Sequence, residues 1–170
     1  KALNNIQGYA ILFNLYQNQW VDIQTPPVVK LFIATMPTGS CLCHDFKYDY
    51  ASGPTTKATC YCLSCQKISG GTNTLNLLVP EDRFRVTDGS PIKYTEMHES
   101  GMKLTVHFCS KCGCSIYKTH EKFPGMVVIL AGTLDGPDAL EQSKPEAELY
   151  SQHRVGWLPN FDWAEQREEF

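Results

Sequence analysis

A chain of 170 residues, 42% of them apolar, can bury a core without cross-links and is too hydrophobic to be disordered. A formal charge of −3 excludes a generic nucleic-acid binder, which carries a basic face, and no apolar run approaches the roughly 18 residues of a membrane-spanning helix. Eight cysteines are left to explain.

Residues 1–37 hold no cysteine and no glutamate. Ile6, Tyr9, Ala10 and Phe13 recur at helical spacing and predict a helix over Asn4–Gln19, weakened by Gly8. Pro26-Pro27 ends what precedes it, and Val28–Ala34 reads as a strand. The expected role is an N-terminal arm covering apolar surface, of this chain or of a neighbouring subunit. The run around Tyr9–Tyr16 has the look of a secretory signal, but Asn14 and Gln17 interrupt it and no clean cleavage site follows.

From Thr38 the pattern is mostly strand. Phe46, Tyr48 and Tyr50 alternate with Lys47 and Asp49, and Ser52-Gly53-Pro54 turns the chain. Strands are expected at Thr72–Val79, Phe84–Thr87, Ile92–Met97, Leu104–Phe108, Ser115–Thr119, Met126–Ala131 and Glu148–Val155, with one helical turn at Ala139–Glu141. Trp163–Phe170 is charged and expected to fray or to form a short surface helix. The domain reading is therefore an arm over 1–37, a mainly β domain over 38–163 and a charged tail over 164–170.

The cysteines fall in three tight groups: Cys41 and Cys43; Cys60, Cys62 and Cys65; Cys109, Cys112 and Cys114. A secreted disulfide framework spreads its cysteines to close many loops, whereas C-x-C and C-x-x-C knuckles aim two thiolates at one ion. Metal is thus preferred to disulfides, and a reducing, cytoplasmic compartment follows. Spacing alone suggests one closed site, Cys41, Cys43, Cys109 and Cys112, and one open three-sulfur site, Cys60, Cys62 and Cys65. Cys114 is left over, either as a small buried hydrophobe or as an extra thiol.

The run Gly39-Ser40-Cys41-Leu42-Cys43, then Cys60-x-Cys62-x-x-Cys65-x-Lys67-x-Ser69-Gly70, then His107-Phe108-Cys109-x-x-Cys112-Gly113 resembles the glutathione-dependent formaldehyde-activating enzyme family. Leu78–Phe84, Ala131-Gly132-Thr133-Leu134-Asp135 and Trp157 extend the resemblance over about Thr38–Trp163. It implies a mainly β, β-tent fold with two zinc ions per chain, one structural and one labile and catalytic. It also implies reversible joining of glutathione and formaldehyde to S-(hydroxymethyl)glutathione, a carbon–sulfur lyase or synthase activity. Four residues depart from the usual pattern. His44 stands for a common glycine, Tyr61 for a frequent histidine, Gln66 for a frequent arginine and Cys114 for serine or threonine. The missing arginine removes one charge for a carboxylate-bearing substrate.

Three thiolates leave zinc a poor activator of water but a good partner for a substrate thiol, which loses its proton on coordination. Cys60, Cys62 and Cys65 are therefore the expected catalytic set. Lys67, Ser69, Gly70 and Thr72 are candidates to receive glutathione or a glutathione conjugate, either through a backbone anion nest or as nothing more than a turn into the next strand. Of the histidines, His107 is expected to pack, His98 and His120 to lie at the surface, His44 to contact the first cysteine group or be solvated, and His153 to be solvated or packed, with a carboxylate ligand as its functional alternative. Tyr150, Trp157 and Trp163 either wall a pocket or fill the core. The alternative to an enzyme is a zinc-stabilised binding module with its second site empty or structural, or closed by Cys114 or a histidine. No nucleic-acid or membrane partner is expected; a homo-oligomer is compatible with the sequence.

Overall fold

The computed structural model describes residues 10–14, 19–23, 36–51 and 53–170. The chain separates into two compact units, Lys1–Thr35 and Met36–Phe170. The first holds an antiparallel pair, β1 (Ala10–Asn14) and β2 (Gln19–Ile23), with Ala10 opposite Ile23 and Asn14 opposite Gln19. The helix expected over Asn4–Gln19 is therefore corrected over its described part. Ile11, Phe13, Trp20 and Val21 are β-branched or aromatic, and cross-strand pairing overrides the helical spacing. Residues 4–9, 15–18 and the strand expected at Val28–Ala34 lie outside the described residues.

The second unit is mainly β. Its small sheet has the order β3 (Thr38–Ser40), β4 (Lys47–Tyr50), β7 (Phe84–Asp88). Its large sheet contains β5 (Thr56–Cys60), β6 (Thr74–Pro80), β8 (Pro91–Met97), β9 (Lys103–Cys109), β10 (Ser115–His120), β11 (Met126–Leu130), β12 (Ala147–Leu149) and β13 (Glu165–Arg167). The order across it is β13-β12-β5-β6-β11-β10-β9-β8. Pairing is antiparallel except that β12 runs parallel to both β5 and β13. Two short helices, α1 (Leu63–Ser69) and α2 (Ala139–Gln142), complete the unit. Among the described residues no helix is long and apolar enough to cross a membrane.

Successive side chains of a strand face opposite ways, and here that alternation separates two interiors. Leu77 and Val79 of β6, Val127 and Ile129 of β11 and Tyr117 of β10 pack with Phe46, Tyr48 and Tyr50 of β4 in the main core. Phe84 and Tyr117 stand 4.8 Å apart, centroid to centroid. The intervening residues, Asn76, Leu78, Val128, Lys118 and His120, line a cavity with Thr56, Ala58 and Cys60 of β5. Gly39 lets the small sheet close: a Cβ there would sit 2.1 Å from the Tyr48 ring.

Two expectations for the C-terminal region are corrected. The strand expected over Glu148–Val155 stops at Leu149, because Tyr150 takes a left-handed conformation (φ 55°) and leads into a 3-10 turn over Ser151–His153. The tail neither frays nor forms a helix. Backbone pairing with β12 makes Glu165–Arg167 an edge strand, and Phe170 packs with Tyr150 and Leu149 beside the buried cysteines.

Candidate metal centres and the cavity above the second

The first cysteine group joins two turns built to one plan. At the β3–β4 turn, the Cys41 N–H donates to Phe46 O (3.0 Å) and the Phe46 N–H donates to Cys41 Sγ (3.3 Å). At the β9–β10 turn, the Cys109 N–H donates to Cys114 O (2.9 Å) and the Lys111 N–H donates to Cys109 Sγ (3.4 Å). Each turn needs one left-handed residue, His44 (φ 60°) in the first and Gly113 (φ 70°) in the second. That geometry favours a glycine at the His44 position. The Ala131–Asp135 motif braces the same corner: Ser40 Oγ and Thr38 Oγ1 donate to the Asp135 carboxylate at 2.8 and 3.1 Å.

The four sulfurs of Cys41, Cys43, Cys109 and Cys112 lie within 4.8 Å of one another. The separations of 3.5 Å (Cys41–Cys43) and 3.7 Å (Cys43–Cys109) are close to the roughly 3.8 Å of sulfurs placed tetrahedrally at 2.3 Å from an ion. Burial works against a charge on Cys41, but the Phe46 N–H and the neighbouring thiols outweigh it and bring that thiol down to about 6. Cys114 is not part of the group; it is half-buried and packs against the main core.

The second group is Cys60 at the end of β5, Cys62 as the N-cap of α1, and Cys65 in its first turn, all at most 3% exposed. Their sulfurs also lie within 4.8 Å of one another, and no fourth cysteine joins them. Cys62 Sγ accepts the Cys65 N–H at 3.3 Å, so one sulfur caps the helix that carries another. Contacts with Cys60 and Cys62, aided by Lys118, hold the Cys65 thiol well below its ordinary value against the effect of burial. Contacts from Cys62 and Cys65, with burial, push Cys60 up.

Lys118 is the residue the sequence did not flag. It is 4% exposed, and its ammonium donates to Cys65 Sγ (3.2 Å) and Thr74 Oγ1 (3.4 Å). Burial opposes its charge, but the Cys65 and Cys60 sulfurs beside it more than compensate and raise its pKa. Its position two residues before His120 on β10, with apolar Ile116 and Tyr117 just ahead, was the available signal.

The cavity above the second group measures about 120 Å³. Besides the strand residues already named, His98, Leu104, Phe123, Leu149, Arg167 and Phe170 line it. His98 and His120 are 3% and 6% exposed, which corrects the surface positions expected for them. Phe170 closes over both, with ring centroids 5.4 and 4.8 Å away. Burial lowers the pKa of both imidazoles, and with His98 and Lys118 as neighbours it takes His120 down to about 4. A ligand atom of His98 and one of Glu99 also lie near Cys62. Glu99 is otherwise engaged: it accepts the Leu63 N–H (2.8 Å) at the start of α1 and pairs with His153 Nε2 (2.8 Å).

The remaining candidates are placed as follows. Lys67, Ser69 and Gly70 are exposed at the far end of α1, Thr72 lies just beyond, and none of the four lines the cavity. That end presents the helix carbonyls rather than its N–H groups, and Ser69 Oγ already accepts the Gly71 N–H at 3.0 Å. His107 stacks on Tyr117 at 4.1 Å. Tyr61 is fully buried and donates to Glu148 Oε1 (2.5 Å), and Gln66 donates to the Tyr61 carbonyl (3.0 Å). Both departures beside the second group thus serve its framework. Trp157 and Trp163 are exposed and fill neither core nor cavity.

Residues 36–153 match the family model described as glutathione-dependent formaldehyde-activating enzyme. A crystal structure of a Rhodobacter sphaeroides protein superimposes with a TM-score of 0.51 at 16% identity, covering 64% of this chain and 96% of that one. At that identity the likeness concerns the fold. No curated protein sequence matches.

Proposed function

The chain belongs to the glutathione-dependent formaldehyde-activating enzyme family, and from that premise we propose that it is a zinc-dependent carbon–sulfur lyase or synthase. It activates a glutathione-type thiol for reversible addition to formaldehyde or a related aldehyde. The observation that carries the proposal is the second cysteine group: three buried sulfurs, no fourth, a buried lysine beside them and a cavity above.

Soft thiolate donors at these separations suit zinc. Cys41, Cys43, Cys109 and Cys112 would hold a structural ion, and Cys60, Cys62 and Cys65 a labile one. Bound there, zinc supplies a Lewis acid that deprotonates a substrate thiol near neutral pH, where a free thiol of pKa about 8.5 is mostly protonated. The protein supplies the rest. Three thiolates and a divalent ion sum to a charge of −1, which the Lys118 ammonium cancels inside a site otherwise expensive to charge. The cavity resembles in size the ~150 Å³ void that admits benzene. It therefore takes the sulfur end of the substrate and the aldehyde, while the peptide body stays outside near Arg167. The substrate sulfur adds to the carbonyl carbon, the C–S bond forms, and the C=O π pair moves onto oxygen. The proton lost by the thiol returns to that oxygen through solvent, so the reaction is balanced without a redox partner.

Elemental analysis of gently purified protein tests this, followed by calorimetry with glutathione. Two zinc ions per chain are expected, one removed by mild chelation. Cys62→Ser should lose only that ion, together with glutathione binding. A Cys62→Ser chain that kept both ions and full turnover would refute the proposal. A single chelation-resistant ion that added zinc could not supplement would favour a binding module.

A further inference from the structure

Among the described residues, three buried side-chain nitrogen or oxygen atoms lack a hydrogen-bond partner: His98 Nε2, His120 Nε2 and Tyr150 Oη. They are not scattered. His98 stands 5.0 Å from His120 and 5.5 Å from Tyr150, centroid to centroid. Tyr150 packs with Cys60, Cys62 and Cys65, and both histidines line the cavity over those sulfurs. A buried polar atom left unpaired is costly, so three in one cluster mark a place where a polar ligand belongs.

The chemistry of that ligand follows from the other ring nitrogen. His98 Nδ1 accepts the Ser100 N–H at 3.1 Å, with Ser100 Oγ also at 2.9 Å. His120 Nδ1 accepts the Lys122 N–H at 3.0 Å. In both cases the backbone N–H two residues on occupies the Nδ1 lone pair. A backbone amide can only donate, so neither Nδ1 carries a proton. In a neutral imidazole the proton then sits on Nε2. Both unpartnered atoms are therefore N–H donors, and the matching ligand atom is an acceptor. The same tautomer leaves His98 without a free lone pair for a metal ion, so the second cysteine group is not completed by that histidine.

We propose that His98 and His120 form a paired N–H donor site for the oxygen of the aldehyde adduct. The proposal rests on the thiol-activation reading above and adds a specificity to it. As the sulfur adds to the carbonyl carbon and the C=O π pair moves to oxygen, negative charge builds on that oxygen, and fixed neutral donors stabilise it without reorganising. Substrates whose reacting carbon bears an oxygen are favoured over thiols alone and over simple S-alkyl conjugates. The proton that the oxygen finally gains comes from solvent, and both imidazoles keep theirs throughout.

The test uses the zinc-loaded full chain. Nitrogen-15 NMR of labelled histidine should show unprotonated Nδ1 and protonated Nε2 in both rings, with the Nε2 signals shifting when formaldehyde is added to the glutathione-loaded protein. His98→Asn and His120→Asn keep a side-chain acceptor for the Ser100 or Lys122 N–H while deleting the Nε2 donor. Each should retain two zinc ions and wild-type affinity for glutathione in calorimetry. Each should weaken binding of the glutathione–formaldehyde adduct roughly 5-fold, the effect of one neutral hydrogen bond. A proton on Nδ1 in either ring would overturn the proposal, as would zinc loss in His98→Asn or equal losses for glutathione and adduct. Failure of the wild-type chain to bind glutathione would refute the thiol-activation reading itself, and the pair as an adduct site with it.

Discussion

Replacing Lys118 by methionine should weaken zinc at the proposed labile centre while leaving the proposed structural one untouched. Methionine nearly conserves the side-chain volume, so packing is held constant and the change removes the ammonium that donates to Cys65 Sγ at 3.2 Å. At that distance the Coulomb attraction is about 5 kcal/mol for an effective dielectric constant near 20. Part of it offsets the desolvation of a lysine only 4% exposed. A buried charge-assisted hydrogen bond leaves a net of about 2–3 kcal/mol, which corresponds to a loss of roughly 30- to 150-fold in zinc affinity. Competition against a chromophoric chelator measures this, with the Cys41, Cys43, Cys109 and Cys112 group as an internal control. Unchanged or tighter labile zinc in Lys118→Met would refute the charge-cancelling role.

Three further outcomes are expected. His44→Gly removes the strain of a left-handed non-glycine residue and should raise thermal stability by about 1 kcal/mol, a Tm increase of a few degrees by calorimetry. Gly39→Ala drives a Cβ into the Tyr48 ring and should destabilise by about 1–3 kcal/mol in denaturant unfolding. Glu148 is fully buried; despite that burial, the bonds from Tyr61, Gln166 and the Phe161 N–H hold its pKa below the ordinary value. A folded pKa below the unfolded one gives stability that is present above the unfolded value and lost as pH falls through the folded one. Wild type should therefore exceed Glu148→Gln in stability at pH 7 by more than at pH values below about 4, and an advantage that grew with acidity would contradict this.

The cysteine groups were legible because knuckle spacing is local: Cys41–Cys43, Cys60–Cys65 and Cys109–Cys112 each sit within one turn. Most strands of the large sheet were legible for the same reason, since a run of strand formers such as Leu104–Phe108 needs no distant partner; Thr56–Cys60 and Glu165–Arg167 were not. The cavity was not. Lys118 was one unremarked residue of an expected strand and His120 was expected at the surface, until the register sets β10 beside β11 and β9. His98 looked exposed in a polar turn, yet that turn hydrogen-bonds His98 N–H to Met102 O and folds the ring inward. The tail looked like a fraying charged segment because its apolar anchor is one residue, Phe170, and its strand is held by partners distant in sequence, the β12 backbone and the Glu148 carboxylate that Gln166 reaches. In the N-terminal segment helical spacing of four residues misled, since bulky β-formers occupied the same stretch.

The two cysteine groups also differ in how much chain they enclose. Cys60 to Cys65 spans a single turn, whereas Cys43 meets Cys109 at a sequence separation of 66. Closing the longer loop costs about 3 kcal/mol more in chain entropy than closing one of three or four residues. The short run can therefore capture an ion while the nascent chain is still open, and the long one only after the β3–β4 and β9–β10 hairpins have docked. Assembly would then have an order: the centre proposed to be labile in the finished protein is the one able to fill first, and the centre proposed to be structural is the one that must wait for the fold.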